Sequence, residues 1–224
     1  MAKLDVNIIQ IPFPNTQYYK EEIGKKQIVL HHTASGRGVD GDFRHWLSNT
    51  ERVATCVIID ADGIVHQCFN SKYWGHHLGI TFAGNKIPLN YKTTQNNIKL
   101  NKESIAVEID AWGGLTNKNG KWLSYTGKEV PKENVIEYPT GFRGYYGFER
   151  YTDKQIETVK KLLIYWNEIY KIPLSYNQDM WNVNEKALSG NSGIWTHASY
   201  RSDKSDCHPQ ENLVSMLKSL VSIS

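Results

Sequence analysis

Gln27-Ile28-Val29-Leu30-His31-His32-Thr33-Ala34 is the stretch on which the reading of this chain turns. Its apolar run reads as a buried strand that delivers His31 to a strand end, where rigid scaffolds commonly present functional groups. Residues 35–41, Ser-Gly-Arg-Gly-Val-Asp-Gly, then form a loop by their glycine content. A short helix is expected over Asp42 to Ser48, with Phe43, Trp46 and Leu47 on one face. Ala54–Asp60 and Ile64–Phe69 flank Ala61-Asp62-Gly63, a strong hairpin signal. Upstream, Pro12 and Pro14 argue against a regular central strand in residues 1–25.

Further along, Ser104-Ile105-Ala106-Val107-Glu108-Ile109 alternates, with Ile105, Val107 and Ile109 on one face and Ser104, Ala106 and Glu108 on the other. Thr152 to Tyr170 has the apolar spacing of an amphipathic helix, with Thr152 as N-cap and Pro173 beyond its end. Residues 177–193 read as a polar loop. Ile194-Trp195-Thr196 leads into His197, and a last helix begins near Pro209. Residues 112–150 look inserted. Their glycines, prolines and aromatics suggest an exposed hairpin or flap, or else rings that form a satellite core. The order strand, helix, hairpin, strand, long helix, strand, helix predicts one α/β domain over residues 1–224, a central mixed sheet flanked by helices.

Composition narrows the function. A net charge of +3 is too weak to mark nucleic acid as the main partner. The longest apolar run, Leu162–Trp166, is far short of the ~20 residues needed to span a membrane, so no membrane insertion is expected. Three cysteines, Cys56, Cys68 and Cys207, are odd in number and lack a CxxC pair, which disfavours a disulfide framework or an all-cysteine zinc site. Histidines carry more information. His31 ends a strand, and His197 opens the segment His197-Ala198-Ser199-Tyr200-Arg201-Ser202-Asp203-Lys204-Ser205-Asp206-Cys207-His208. Two imidazoles and a carboxylate with a fourth position open to water make a hydrolytic zinc site. Taken singly, His31 reads as a satisfied core histidine, and Lys204 with Asp206 as a solvated ion pair; it is the segments together that point to the metal.

Four segments together resemble the zinc-dependent N-acetylmuramoyl-L-alanine amidases of phage lysins and bacterial wall recyclers, whose fold the peptidoglycan recognition proteins share. They are Ile28–Ala34, Val53–Gly63, Ser104–Ile109, and His197 with Lys204-Ser205-Asp206. The resemblance implies zinc held by His31, His197 and Asp206, with Cys207 the rival third ligand and His32 turned away from the metal. It implies that Lys204 faces the substrate carbonyl. Some relatives use a tyrosine where Thr55 stands here; Glu108 matches the catalytic glutamate of the others. A surface role for Glu108 is the alternative. Tyr73-Trp74-Gly75-His76-His77-Leu78-Gly79 is similar to a histidine loop lining the family's cleft, which makes Trp74 and His77 candidate substrate contacts.

The implied partner is peptidoglycan, glycan strand and stem peptide, cut at the amide between N-acetylmuramic acid and L-alanine, with the chain expected to act as a monomer. The first 20 residues lack the 7–15-residue apolar core of a signal peptide. The expected location is therefore the cytoplasm of the producing host cell, with action on the wall after release, as for a phage endolysin. A cytoplasmic recycling amidase and a non-catalytic peptidoglycan-binding protein of the same fold are the alternatives.

Overall fold

The computed structural model describes residues 4–82 and 87–220; the remaining residues of the expected 1–224 span lie outside it. Two sheets organise the chain. The larger has six strands: β1 (Ile8–Gln10), β2 (Gln27–His32), β3 (Val57–Ile59), β4 (Val65–Gln67), β5 (Ser104–Ile109) and β11 (Gly193–Thr196). Their spatial order is β1-β4-β3-β5-β2-β11. Only β3 and β4 pair antiparallel; every other neighbour is parallel, so the sheet is mixed, as expected. Every residue of β2 and β5 is buried, so β5, although it alternates in sequence, is covered on both faces, as strands inside a parallel sheet are.

The hairpin β3–β4 turns at Gly63, whose φ of +77° is open to glycine. A Cβ there would also strike the Lys154 carbonyl, because the turn lies against the start of α3 (Asp153–Tyr170). Thr152 caps that helix in a capping box with Gln155. Its buried face, Ile156, Val159, Leu162, Leu163 and Trp166, packs toward β3 and α5 (Glu211–Ser219). The expected order of elements stands, with additions. β1 is an edge strand that ends before Pro12, consistent with proline excluding only a central one. α1 (Val39–Leu47) starts three residues before the expected Asp42 and leaves Leu47 exposed. Phe43 and Trp46 instead meet Phe13, at ring distances of 4.7 and 6.1 Å.

One helix was not expected, and one expected loop needs correction. α2 (Thr94–Glu103) was hidden because it is polar all round, burying only Leu100 and Asn101; its one signal is the Thr93 N-cap accepting from the Asn96 N–H. The polar stretch 177–193 contains a 3-10 turn, Gln178–Trp181, and α4 (Glu185–Leu188). Met180, Trp181, Ala187 and Leu188 there are core residues. Residues 112–150 form hairpins, as one reading expects, fastened down rather than free as a flap, and Trp122 lies in a satellite core, as the other expects. They build β6 (Gly114–Lys118), β7 (Lys121–Leu123), β8 (Glu129–Val130), β9 (Val135–Phe142) and β10 (Tyr145–Glu149), a five-stranded antiparallel sheet of order β8-β7-β6-β10-β9. Its own apolar cluster is Leu115, Trp122, Val130 and Val135.

That second sheet is fastened to the first. Glu149 accepts from the Arg37 Nε and from the Trp112 N–H at 2.9 and 2.6 Å. Arg143, in the β9–β10 turn, donates to the carbonyls of Ser202, Trp181 and Ala198 at 3.2, 2.9 and 3.1 Å. The guanidinium therefore holds the segment that follows β11. No helix among the described residues is long and apolar enough to cross a membrane.

Candidate metal centre and active site

Parallel order β5-β2-β11 sets three strand ends side by side. His31 pairs with Glu108 across β2 and β5, and Leu30 pairs with Thr196 across β2 and β11, so His197 comes up next to His31. Adjacent strands in register present same-face side chains together. Glu108, His31 and His197 thus form a row at the carboxyl ends of the strands, where open α/β sheets hold their ligands. Asp206 enters from the loop after β11, closed by the Ala198 N–H donating to its carbonyl at 3.0 Å.

His31 Nδ1, His197 Nδ1 and Asp206 Oδ2 meet at one point. The two nitrogens are 3.1 Å apart, and the carboxylate oxygen lies 3.0 Å from the first and 2.9 Å from the second. All three residues are buried. His197 Nε2 lies 3.0 Å from the Leu78 carbonyl oxygen, which can only accept. The proton therefore sits on Nε2 and Nδ1 carries a lone pair. Burial, followed by the neighbouring His197, lowers the His31 imidazole to about 4 and keeps it neutral at pH 7. Lone pairs aimed at one another beside a buried carboxylate call for a cation at their centre. Ligand atoms about 2.0–2.1 Å from a tetrahedral zinc lie roughly 3.3 Å apart, close to these separations. Among the described residues this is the only His/Cys/Asp/Glu group suited to share a metal ion.

A cleft of about 500 Å³ opens over the group, lined also by Glu108, Lys204, Thr55 and His76. Glu108 is buried, and its Oε2 has no hydrogen-bond partner. Burial, then the charges of Asp206 and Asp42, push its carboxyl well above the usual range, with Lys204 opposing. A buried carboxyl with a free oxygen beside a metal-type site is a group poised to exchange protons.

A family model described as N-acetylmuramoyl-L-alanine amidase matches residues 21–209. The chain belongs to the N-acetylmuramoyl-L-alanine amidase family. Among solved structures it is similar to PlyL, at 15% identity and a TM-score of 0.50, covering 96% of this chain and 97% of that one. The hydrolase AmiA of Staphylococcus aureus, solved with its ligand, matches at 13% identity and 0.50, covering 97% and 84%. The catalytic domain of XlyA matches at 16% and 0.50, covering 96% and 99%. At such identities these likenesses concern the fold. A search of curated proteins by sequence gave no match.

Within this amidase-family chain the remaining candidates fall as follows. Cys207 is turned from the metal group: its thiol donates to the Tyr151 hydroxyl at 3.0 Å, and burial pushes it far up. The same hydroxyl lies 2.8 Å from His32 Nδ1, so His32 occupies the opposite face of β2 from His31. A Cβ on Gly113, at φ +72°, would collide with the His32 ring. Thr55 lines the cleft, but its hydroxyl donates to the Val57 carbonyl at 3.2 Å. Lys204 lines the cleft with Glu108 and Asp206. Trp74 does not reach it. That indole is 5% exposed, stacks on Tyr19 at 3.9 Å and donates to Glu21 at 3.1 Å. His77 lies in the cleft wall, but its Nδ1 is 3.1 Å from His31 Nε2. Sequence reasoning missed the roles of Leu78, whose carbonyl faces His197, of Asn101 and Arg143, whose side chains hold backbone amides and carbonyls, and of Ser104, whose hydroxyl meets His77; no residue pattern displays these partners.

Proposed function

We propose that this chain is a zinc-dependent amidase that hydrolyses the bond between N-acetylmuramic acid and L-alanine in peptidoglycan. The observation that carries the reading is the convergence of His31 Nδ1, His197 Nδ1 and Asp206 Oδ2 beside the unpartnered Oε2 of Glu108. Those three atoms would hold the metal. Zinc bound there would polarise the amide carbonyl and acidify water toward a pKa of about 7. In its carboxylate form, which the charge of a bound metal would favour against the effect of burial, Glu108 would take the proton of the attacking water and return it to the departing L-alanine nitrogen, without which an amine cannot leave. Lys204 would set its ammonium against the oxygen that turns negative as the carbonyl becomes tetrahedral, a contact of about 2.7–4 kcal/mol in comparable sites. A complete ligand group plus a free carboxyl favours a catalyst over a protein that only binds the wall. We assign the biological setting as a phage endolysin, on the resemblance of the four segments to phage lysins.

Purified cell walls test this. Turbidity should fall with release of free L-alanine amino groups, stop with a chelator and resume with zinc, with one zinc per chain. Asp206→Ala should lose zinc, whereas Cys207→Ser should keep it. Release of reducing sugar ends without new amino groups would place the cut in the glycan and overturn the assignment.

A further inference from the structure

Both ring nitrogens of His77 are engaged. Nδ1 lies 3.1 Å from His31 Nε2, and Nε2 lies 2.7 Å from the Ser104 hydroxyl oxygen. That hydroxyl lies 2.6 Å from the carbonyl oxygen of Leu100. The chain of contacts therefore has a direction. A carbonyl oxygen only accepts, so Ser104 gives its proton to Leu100 and its own oxygen accepts from His77. His77 must then carry its proton on Nε2 and offer a lone pair at Nδ1. His31 in turn must donate from Nε2, which leaves its Nδ1 bare. That bare atom is the one that meets His197 and Asp206.

The next residue serves the second histidine. The Leu78 carbonyl lies 3.0 Å from His197 Nε2 and fixes that ring in the same tautomer. The dipeptide is itself clamped. The backbone N–H groups of His77 and Leu78 both donate to Asn101 Oδ1, at 2.8 and 3.1 Å. Asn101 is fully buried, and its amide donates to the Asn97 carbonyl at 2.7 Å. One side chain of α2 thus sets a dipeptide, and the dipeptide orients two imidazoles, one at the end of β2 and one just after β11.

We propose that His77–Leu78, held by Asn101 and Ser104, is a bracket that presets tautomer and ring plane of both ligand histidines, and that His77 is a positioning residue. This replaces the substrate contact expected from the sequence, and it rests on the zinc reading of the site. Partners behind a metal-bound histidine commonly change metal affinity 10–100-fold when removed.

The test is zinc affinity, measured by competition with a chromophoric chelator on the full chain. His77→Ala should bind zinc about 10–100-fold more weakly while its metal-free form keeps the wild-type circular dichroism. His77→Asn, whose Oδ1 can accept where Nδ1 did, should recover most of the loss. Asn101→Ala should weaken zinc binding as well, since it frees the dipeptide that serves both rings. Wild-type affinity in His77→Ala, with only KM raised, would overturn the bracket and restore a substrate role. An Asn variant no better than Ala would also overturn it. If the wild-type chain itself binds no zinc, the amidase reading fails and takes the bracket with it; tight wild-type binding with an unaffected Ala variant sinks the bracket alone. Should the variants not fold, nitrogen-15 spectra of the wild-type imidazoles decide the matter. His77 and His31 should both carry the proton on Nε2, and a proton on His77 Nδ1 would refute the proposal.

Discussion

Glu108→Gln should separate stability from catalysis. The substitution keeps the shape of the side chain and removes its acid–base function. Glu108 is buried with Oε2 unpartnered, so no hydrogen bond to that oxygen is lost. The other carboxylates lining the cleft among the described residues are Asp206, engaged by both histidines, and Glu51, on the exposed rim. Neither can take over, and Thr55 spends its hydroxyl on a carbonyl. The expected loss in kcat is therefore the range for general acid–base catalysis, about 10²–10⁴-fold, or roughly 2.7–5.4 kcal/mol at 1.36 kcal/mol per decade. Stability should move the other way. The folded carboxyl is held well above its ordinary range, chiefly by burial. Between the unfolded value of about 4.3 and that raised folded value, the folded state keeps a proton that the unfolded chain has released. The group's contribution to stability thus declines as pH rises through this window. Glutamine removes that loss, so the metal-free variant should melt no lower than wild type at pH 7. The assay is amino-group release from purified walls at saturating substrate, with zinc content and metal-free melting measured on the same preparations. Near-normal kcat would refute the proton-transfer role. Loss of zinc in step with activity would show Glu108 to be part of the metal site instead.

Other outcomes follow from the same geometry. Arg143→Met leaves three carbonyls without their charged donor; denaturant unfolding should show a loss of roughly 1.5–3 kcal/mol, and zinc affinity should fall because the His197–Asp206 segment loosens. Trp122→Ala empties the small cluster of the second sheet, where the indole covers Gly147; a loss of about 3–5 kcal/mol is expected in that sheet's unfolding, and hydrogen exchange should locate it there. Asp110 is raised to about 7, first by burial, against the Gly38 N–H that it accepts. Its contribution is complete below about pH 4 and declines as pH rises through 7, by up to about 1.4 kcal/mol per pH unit; Asp110→Asn should flatten the unfolding free energy between pH 4.5 and 7 relative to wild type.

The aromatic stretch 112–150 shows how local reading reaches its limit. Its turns and rings are visible in the sequence, yet their division is tertiary. Trp122 goes into a core of its own, Tyr138 reaches His208 at 2.8 Å, and Tyr125 stays 75% exposed. α2 escaped because a helix that buries two residues leaves no apolar period to count.

By itself the sequence determined the strands β2, β3, β4, β5 and β11, the long capped helix and the residue types that converge on the site, because burial period and capping chemistry are local properties of the chain. It also supplied His31, Glu108, His197 and Asp206 as candidates, through segments whose types suit one chemistry. Only the tertiary structure decided that these meet. Residues 31 and 197 are brought to 3.1 Å by the parallel neighbours β2 and β11, and register between distant strands depends on packing across the whole sheet. The same holds for Trp74 and His77. Their loop is legible as a motif, but which partner each ring faces is set by Tyr19 on one side and by Ser104 on the other, contacts that exist only once separate segments have packed together.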